Sequence, residues 1–151
     1  MKKHLLRRLA GERGQALLEM AMTVPLLLVV SVGIFEFGRA YQIDQVITNA
    51  AREGARVAVL PGSTVDAVKS RVQAYLDAGR VPKPQNGSID IQVVQNVQIN
   101  IGSTTATGSR VTVNYPFSFF VLNPVAKLVT KGSTLGRDGL TMSASAEMRN
   151  E

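Results

Sequence analysis

Met20 to Phe35 is a run of sixteen residues without a charge, in a chain of 151. With Ala16 to Leu18 the apolar segment reaches twenty positions, interrupted once by Glu19. Twenty helical residues rise about 30 Å, the thickness of the hydrocarbon core of a bilayer. A soluble domain would have to cover such a helix on every side, and a chain this short has little protein with which to do so. The segment is therefore expected to cross a membrane, with the lipid bilayer as its surroundings.

The placement of charge agrees. The formal charge is +6, and Lys2, Lys3, Arg7, Arg8 and Arg13 against Glu12 put +4 of it in the first 15 residues. A basic cluster just before an apolar run is a topology signal. It predicts a cytoplasmic amino terminus, a single pass, and the bulk of the chain on the far side of the membrane. A nucleic-acid surface would need basic and aromatic residues spread over a folded face. The eight aromatic residues here read mostly as core, so no nucleic-acid partner is expected.

There is no cysteine, which excludes disulfides, thiolate catalysis and Cys-based metal sites. The one histidine, His4, lies in the basic leader, so the exported part holds no His-based site. Its acids, Asp66, Asp77, Asp90, Asp138, Glu147 and Glu151, form no tight pair, and no glycine loop of the phosphate-cradling kind precedes a lysine. No catalytic residue, cofactor or metal ligand is expected, and the chain reads as a non-enzyme.

Residues 1–14 form a hydrophilic leader too short to fold. A conventional signal peptide would end in a small-x-small site, and Ser31-Val32-Gly33 is a poor match inside the apolar run itself. The stretch before the run is more specific. Gly14 offers a protease an unhindered bond to Gln15, and cleavage there makes Glu19 the fifth residue of the mature chain. A carboxylate at the bilayer edge is costly unless an amino terminus or a basic group matches it.

Four blocks now stand in order. They are Arg13-Gly14-Gln15-Ala16-Leu17-Leu18-Glu19-Met20-Ala21, Pro25-Leu26-Leu27-Leu28, Gly33-Ile34-Phe35-Glu36-Phe37-Gly38-Arg39, and Asn49-Ala50-Ala51-Arg52-Glu53-Gly54-Ala55-Arg56. Together they resemble the TadE/TadG-like family, pseudopilin-type components of bacterial tight-adherence (Flp, type IVb) pilus systems. The resemblance is dense over residues 13–60 and loose beyond. It implies a prepilin peptidase as a processing partner on the cytoplasmic side. Gly14 would be the last leader residue, Gln15 the first mature residue and Glu19 the characteristic acid. It also implies other pilin-like subunits and inner-membrane platform proteins as partners, and residence in the bacterial cytoplasmic (inner) membrane with a periplasmic or extracellular head.

From residue 15 to residue 60 the chain reads as one stem helix, with Pro25 as its single breaker. Glu36 and Arg39, three apart, mark the far side of the bilayer and can pair. Phe37, Ala40, Ile47, Ala51, Gly54 and Ala58 form an amphipathic stripe interrupted by Asp44, small enough for close approach. Arg52 and Arg56 share a face with Glu53 beside it, which reads either as a contact surface for another subunit or as a solvated helix side.

Residues 61–151 read as an exported head. Pro61 and Gly62 turn the chain, with Ser63 as a candidate N-cap boxed by Asp66. Val65, Val68, Val72 and Leu76 then stripe a helix to about Ala78. Strands are expected over Ile89 to Ile101, with one parity throughout, then over Arg110 to Phe117, and from Leu140 to Met148. Gly102 to Ser109 reads as a polar loop, Pro116 as a ladder end or edge, residues 125–129 as a short helical turn, and residues 132–139 as loop. Asn96 marks a bend or bulge. Residues 118–124 are apolar but too short to span, suiting either the bilayer surface, a partner, or closure of the core over the stem.

The expected fold is thus α+β and pilin-like, a long N-terminal membrane-spanning helix packed on a small antiparallel sheet domain. The expected function is that of a membrane-anchored minor pilin or pseudopilin acting in secretion-type pilus assembly by protein–protein contact. The alternative is a signal-anchored extracytoplasmic binding protein unrelated to pili. A neighbouring secretion ATPase and prepilin peptidase gene would separate them.

Overall fold

The computed structural model describes residues 2–101, 104–121 and 140–150. The expectations for Leu122 to Pro124, for residues 125–129 and for residues 132–139 lie outside them. The order of elements is α1 (Lys2–Ala58), α2 (Val65–Ala78), β1 (Asp90–Ile101), β2 (Thr104–Phe117) and β3 (Leu140–Arg149).

Helix α1 has 57 residues and is about 85 Å long at 1.5 Å per residue. It starts well before the expected stem, taking in the backbone of the leader, and it continues through Pro25. It ends where Pro61 can no longer donate and Gly62, at φ 77°, reverses the chain.

The far half of α1 carries the core. Ala40, Ile43, Ile47, Ala51, Ala55 and Ala58 are buried. They face Val68, Val72 and Leu76 of α2 on one side and Val111, Val113, Tyr115 and Phe117 of β2 on the other. The expected stripe is off by one residue at its start. Phe37 is exposed and Glu36 takes the inward position, because 36, 40, 43 and 47 share one face and 37 lies about 100° away. Ile43 likewise fills the gap attributed to Asp44.

The seam between α1 and α2 is closed by glycine. A Cβ on Gly54 would stand 2.5 Å from Cγ2 of Val72 and 3.1 Å from Cγ1 of Val111. A Cβ on Gly79 would stand 2.5 Å from Cγ1 of Val46. Both exceed what packed carbon atoms tolerate, so these glycines set how closely the helices approach. The Gly79 contact also explains the end of α2. Val81 donates to the Leu76 carbonyl and Arg80 to the Asp77 carbonyl, and Arg80 itself takes the left-handed turn at φ 53°.

At the other end of α2 the N-cap is Thr64, whose Oγ1 accepts the Ala67 amide at 3.2 Å. Ser63, expected in that role, is held in the preceding turn by its own amide, which donates to the Leu60 carbonyl at 3.1 Å.

The three strands form one antiparallel sheet in the order β1-β2-β3. Residues 104–109 belong to β2 rather than to a loop. Their polar side chains conceal a strand whose register, Ile101 to Thr104 through Val97 to Gly108, is set by pairing with β1. Pro116 pairs with Thr141 at the end of the central strand, where a missing donor disturbs only the last rung.

Asn96 is the bulge. Val94 pairs with Arg110 and Val97 with Gly108, so Gln95 and Asn96 together oppose Ser109, with Asn96 at φ 62°. The extra residue flips the strand. Ile91 and Val93 lie on the core face with Val113 and Val111, whereas Val97 and Ile99 pair with Gly108 and Ala106 on the opposite face. The single parity expected from Ile89 to Ile101 is therefore corrected after Asn96. Opposite the bulge, the buried Ser109 hydroxyl reaches the Ala58 carbonyl at 3.4 Å and ties the sheet to the end of α1.

Candidate interaction site

Along α1 three regions carry the candidate residues. The first is the bare apolar segment. Leu17, Met22, Leu26, Ile34 and Phe35 each expose 65–75 % of their surface, and they point to different sides of the helix. The helix is long and apolar enough to cross a membrane. Covering a large apolar side chain is worth about 1.5–3 kcal/mol, so a segment this bare calls for lipid or other protein around it. Two of its hydroxyl side chains are satisfied within the helix. Thr23 donates to the Glu19 carbonyl at 2.7 Å and Ser31 to the Leu27 carbonyl at 2.8 Å. Gly14, Gln15 and Glu19 lie exposed on this same uninterrupted helix, and nothing approaches a Cβ position on Gly14.

The second region joins the bare segment to the head. Glu36 is 2 % exposed, although it is a carboxylate. Its Oε1 accepts the Phe120 amide at 2.8 Å and the Val121 amide at 2.7 Å, and its Oε2 accepts the Phe120 amide at 2.9 Å. Arg39 stands 3.6 Å from Oε2, the pairing expected from their spacing. It also donates to the Ser118 carbonyl at 2.6 Å and lies 4.6 Å over the Phe117 ring. Phe119 packs edge-on to both Phe37 and Phe117. Glu36 and Arg39 thus clamp the chain where it leaves β2. Nearby, Tyr115 donates to the Pro82 carbonyl at 2.9 Å, and burial raises its hydroxyl pKa above 10.0, with Arg39 pulling weakly the other way.

The expectation for Glu36 had it pairing with Arg39 at the membrane edge. Its main partners, two backbone amides 84 and 85 residues away, could not be read from local spacing. The available signal was the pair of acid and base just after an apolar run, combined with the apolar Phe119-Phe120-Val121 stretch.

The third region is the charged side of the stem. Glu53 bonds Arg71 of α2 through Nη2 at 2.8 Å and Nε at 3.2 Å, and Arg56 stands 4.0 Å away. Glu53 therefore serves the α1–α2 joint. Arg52 and Arg56 remain exposed. They line a groove of about 310 Å³ with Asn49, Tyr75 and Met148, and Arg52 has no ion pair among the described residues. Among the described residues no three His, Asp or Glu side chains gather to hold a metal.

Residues 14–56 fit the family model described as TadE-like protein. No curated protein and no solved structure matches the chain. The matched segment begins at Gly14, contains Glu19, Glu36 and Arg39, and ends at Arg56, so it carries the α1 side of all three regions. Over residues 14–56 the chain is thus similar to the TadE-like family, the stretch in which its motifs resemble the TadE/TadG-like proteins.

Proposed function

We propose that the protein is a membrane-anchored minor pilin or pseudopilin that assists assembly of a tight-adherence (Flp, type IVb) pilus by protein–protein contact. The observation that carries this reading is the bare apolar half of α1, lying within a TadE-like segment and continuous with a stem that is packed into the head. Residues 1–14 act as a leader, residues 15–60 as the membrane and stem helix, and residues 61–151 as the head. The basic leader stays in the cytoplasm and the head lies outside the cytoplasmic membrane, periplasmic or extracellular according to the envelope.

In this reading Gly14–Gln15 is the bond cut by a prepilin peptidase. Glu19, free on the helix surface, meets an amino terminus or basic group of a neighbouring stem. Arg52 and Arg56 present positive charge to an acidic patch on another subunit or platform protein. The head works by contact rather than catalysis, with no cofactor.

The test is made in the host. Purified from membranes, the mature chain is expected to begin at Gln15 when the prepilin peptidase gene is present and at Met1 when it is deleted. Deleting the gene for this protein is expected to lower sharply the yield of filaments sheared from the cells. A chain that keeps residues 1–14 in both strains, with filament yield unchanged by its loss, overturns the reading.

A further inference from the structure

We propose that the Phe119–Val121 turn of the head is a second lipid-contacting element, seating the head on the bilayer surface rather than holding it clear on a stalk. This rests on the membrane reading above and goes beyond it.

The argument begins with height along α1. Glu36 is the residue directly after the apolar run, and it grips the amides of Phe120 and Val121. Side chains on a helix lean toward its N-terminus, so a group held by Glu36 lies beside the preceding turn. Val32 and Gly33, one turn before Glu36 on the same face, are the two partly covered positions between Gly14 and Phe35. The turn therefore overlaps the last turn of the run. If that run fills the hydrocarbon core, the turn stands at the hydrocarbon boundary.

The side chains at that height suit a lipid surface. Ile34, Phe35, Phe37 and Tyr41 of the helix expose 63–75 %, and beside them Phe120 exposes 66 % and Val121 42 %. Helix and head meet at this height through Phe37 and Phe119, whose ring centroids are 5.7 Å apart, with these exposed apolar side chains around them. The polar groups beside them are satisfied internally, Glu36 by the amides and Arg39 by the Ser118 carbonyl. About a turn further along, Arg80 lines a groove of about 240 Å³, where its positive charge suits phosphate headgroups. An exposed Phe on a pinned turn, continuous with a lipid-facing helix, is what a bilayer-seated head requires.

The chain has no tryptophan, so each introduced one is a unique probe. Phe35→Trp, Phe120→Trp and Val94→Trp would be made in the full chain. Val94 lies on the outer sheet face opposite Arg110, seven residues along β2 from Phe117 and so about 23 Å away at 3.3 Å per residue. The proteins would be reconstituted in phosphatidylcholine–phosphatidylglycerol vesicles with bromine carried on the acyl chains near the headgroup. The expected result is blue-shifted, quenched emission from F35W and F120W on a similar scale, with V94W unquenched. Quenching of F35W without F120W overturns the proposal alone, leaving the head clear of the bilayer and Phe120 free for a protein partner. Absence of quenching in F35W overturns the membrane reading and the proposal with it. Val121→Trp provides a second probe of the same turn, and a circular dichroism spectrum of each variant checks the fold.

Discussion

Glu36→Ala is expected to lower the stability of the head by about 3 kcal/mol, because removing one partner of a buried charged network leaves the others unsatisfied. The Phe120 and Val121 amides lose their acceptor, and Arg39 loses its nearest carboxylate. The turn lies at the surface, so water recovers part of the loss and keeps the value at the lower end of the range for buried pairs. Glu36→Gln keeps an oxygen that can accept one amide and is expected to cost about half as much. In thermal unfolding of the full chain in detergent, about 3 kcal/mol appears as a fall of roughly 10–20 °C. Glu53→Ala serves as the contrast. Its partner Arg71 is 55 % exposed, and an ion pair of that kind is worth about 1 kcal/mol at most. Equal shifts for the two variants would mean that Glu36 does not hold the turn.

Gly54→Val is the second large effect. The new side chain must enter the space held by Cγ2 of Val72, 2.5 Å from its Cβ, with Val111 at 3.1 Å behind. Val72 is β-branched and sits on a helix, so it has little rotamer freedom with which to yield. Overpacking of this sort costs about 1–3 kcal/mol for one added carbon, and more for three, so at least about 3 kcal/mol is expected. Gly54→Ala is the informative companion. A glycine-to-alanine change inside a helix gains about 1 kcal/mol where there is room. Here the clash is expected to cancel that gain or outweigh it. A stabilised G54A in the same unfolding measurement would show that α1 and α2 are not in close contact at this point.

These two sites differ in how far a sequence reader can see them. The small face of α1, with Ala51, Gly54, Ala55 and Ala58, is a local pattern, and it announces close approach whatever approaches. The apolar run and the Val68, Val72 and Leu76 stripe are equally local, and all are found as expected. Glu36 is different. Whether it or Phe37 faces inward is a matter of helix phase, decided by Ile43 and by contacts with residues some 80 positions away. Periodicity tolerates a one-residue error there, and Asp44 drew attention from the true stripe. The bulge at Asn96 erased a second local signal. The alternation of Ile89 to Ile101 is unbroken in the sequence, yet the strand opposes Ser109 with two residues and reverses its faces. Residues 104–109 failed in the opposite direction, since Thr, Ala, Gly and Ser look like loop until a neighbouring strand supplies their hydrogen bonds. Of the candidate residues, Glu36 and Arg39 are brought together as spacing implied, and Glu53 stands 4.0 Å from Arg56 while bonding chiefly to Arg71. Arg52 joins the Arg56 groove without an ion partner among the described residues.

The proposal that one helix carries the head across the membrane is tested most directly by topology. The chain has no cysteine, so single substitutions can be labelled without background. Ser145→Cys lies on the exposed outer face of the sheet, and Lys3→Cys lies in the leader. In spheroplasts or protoplasts of a strain lacking the prepilin peptidase gene, so that the leader is kept, a membrane-impermeant maleimide is expected to label S145C before lysis and K3C only after it. Labelling of K3C on intact cells, or protection of S145C until lysis, would contradict a cytoplasmic leader and an exported head.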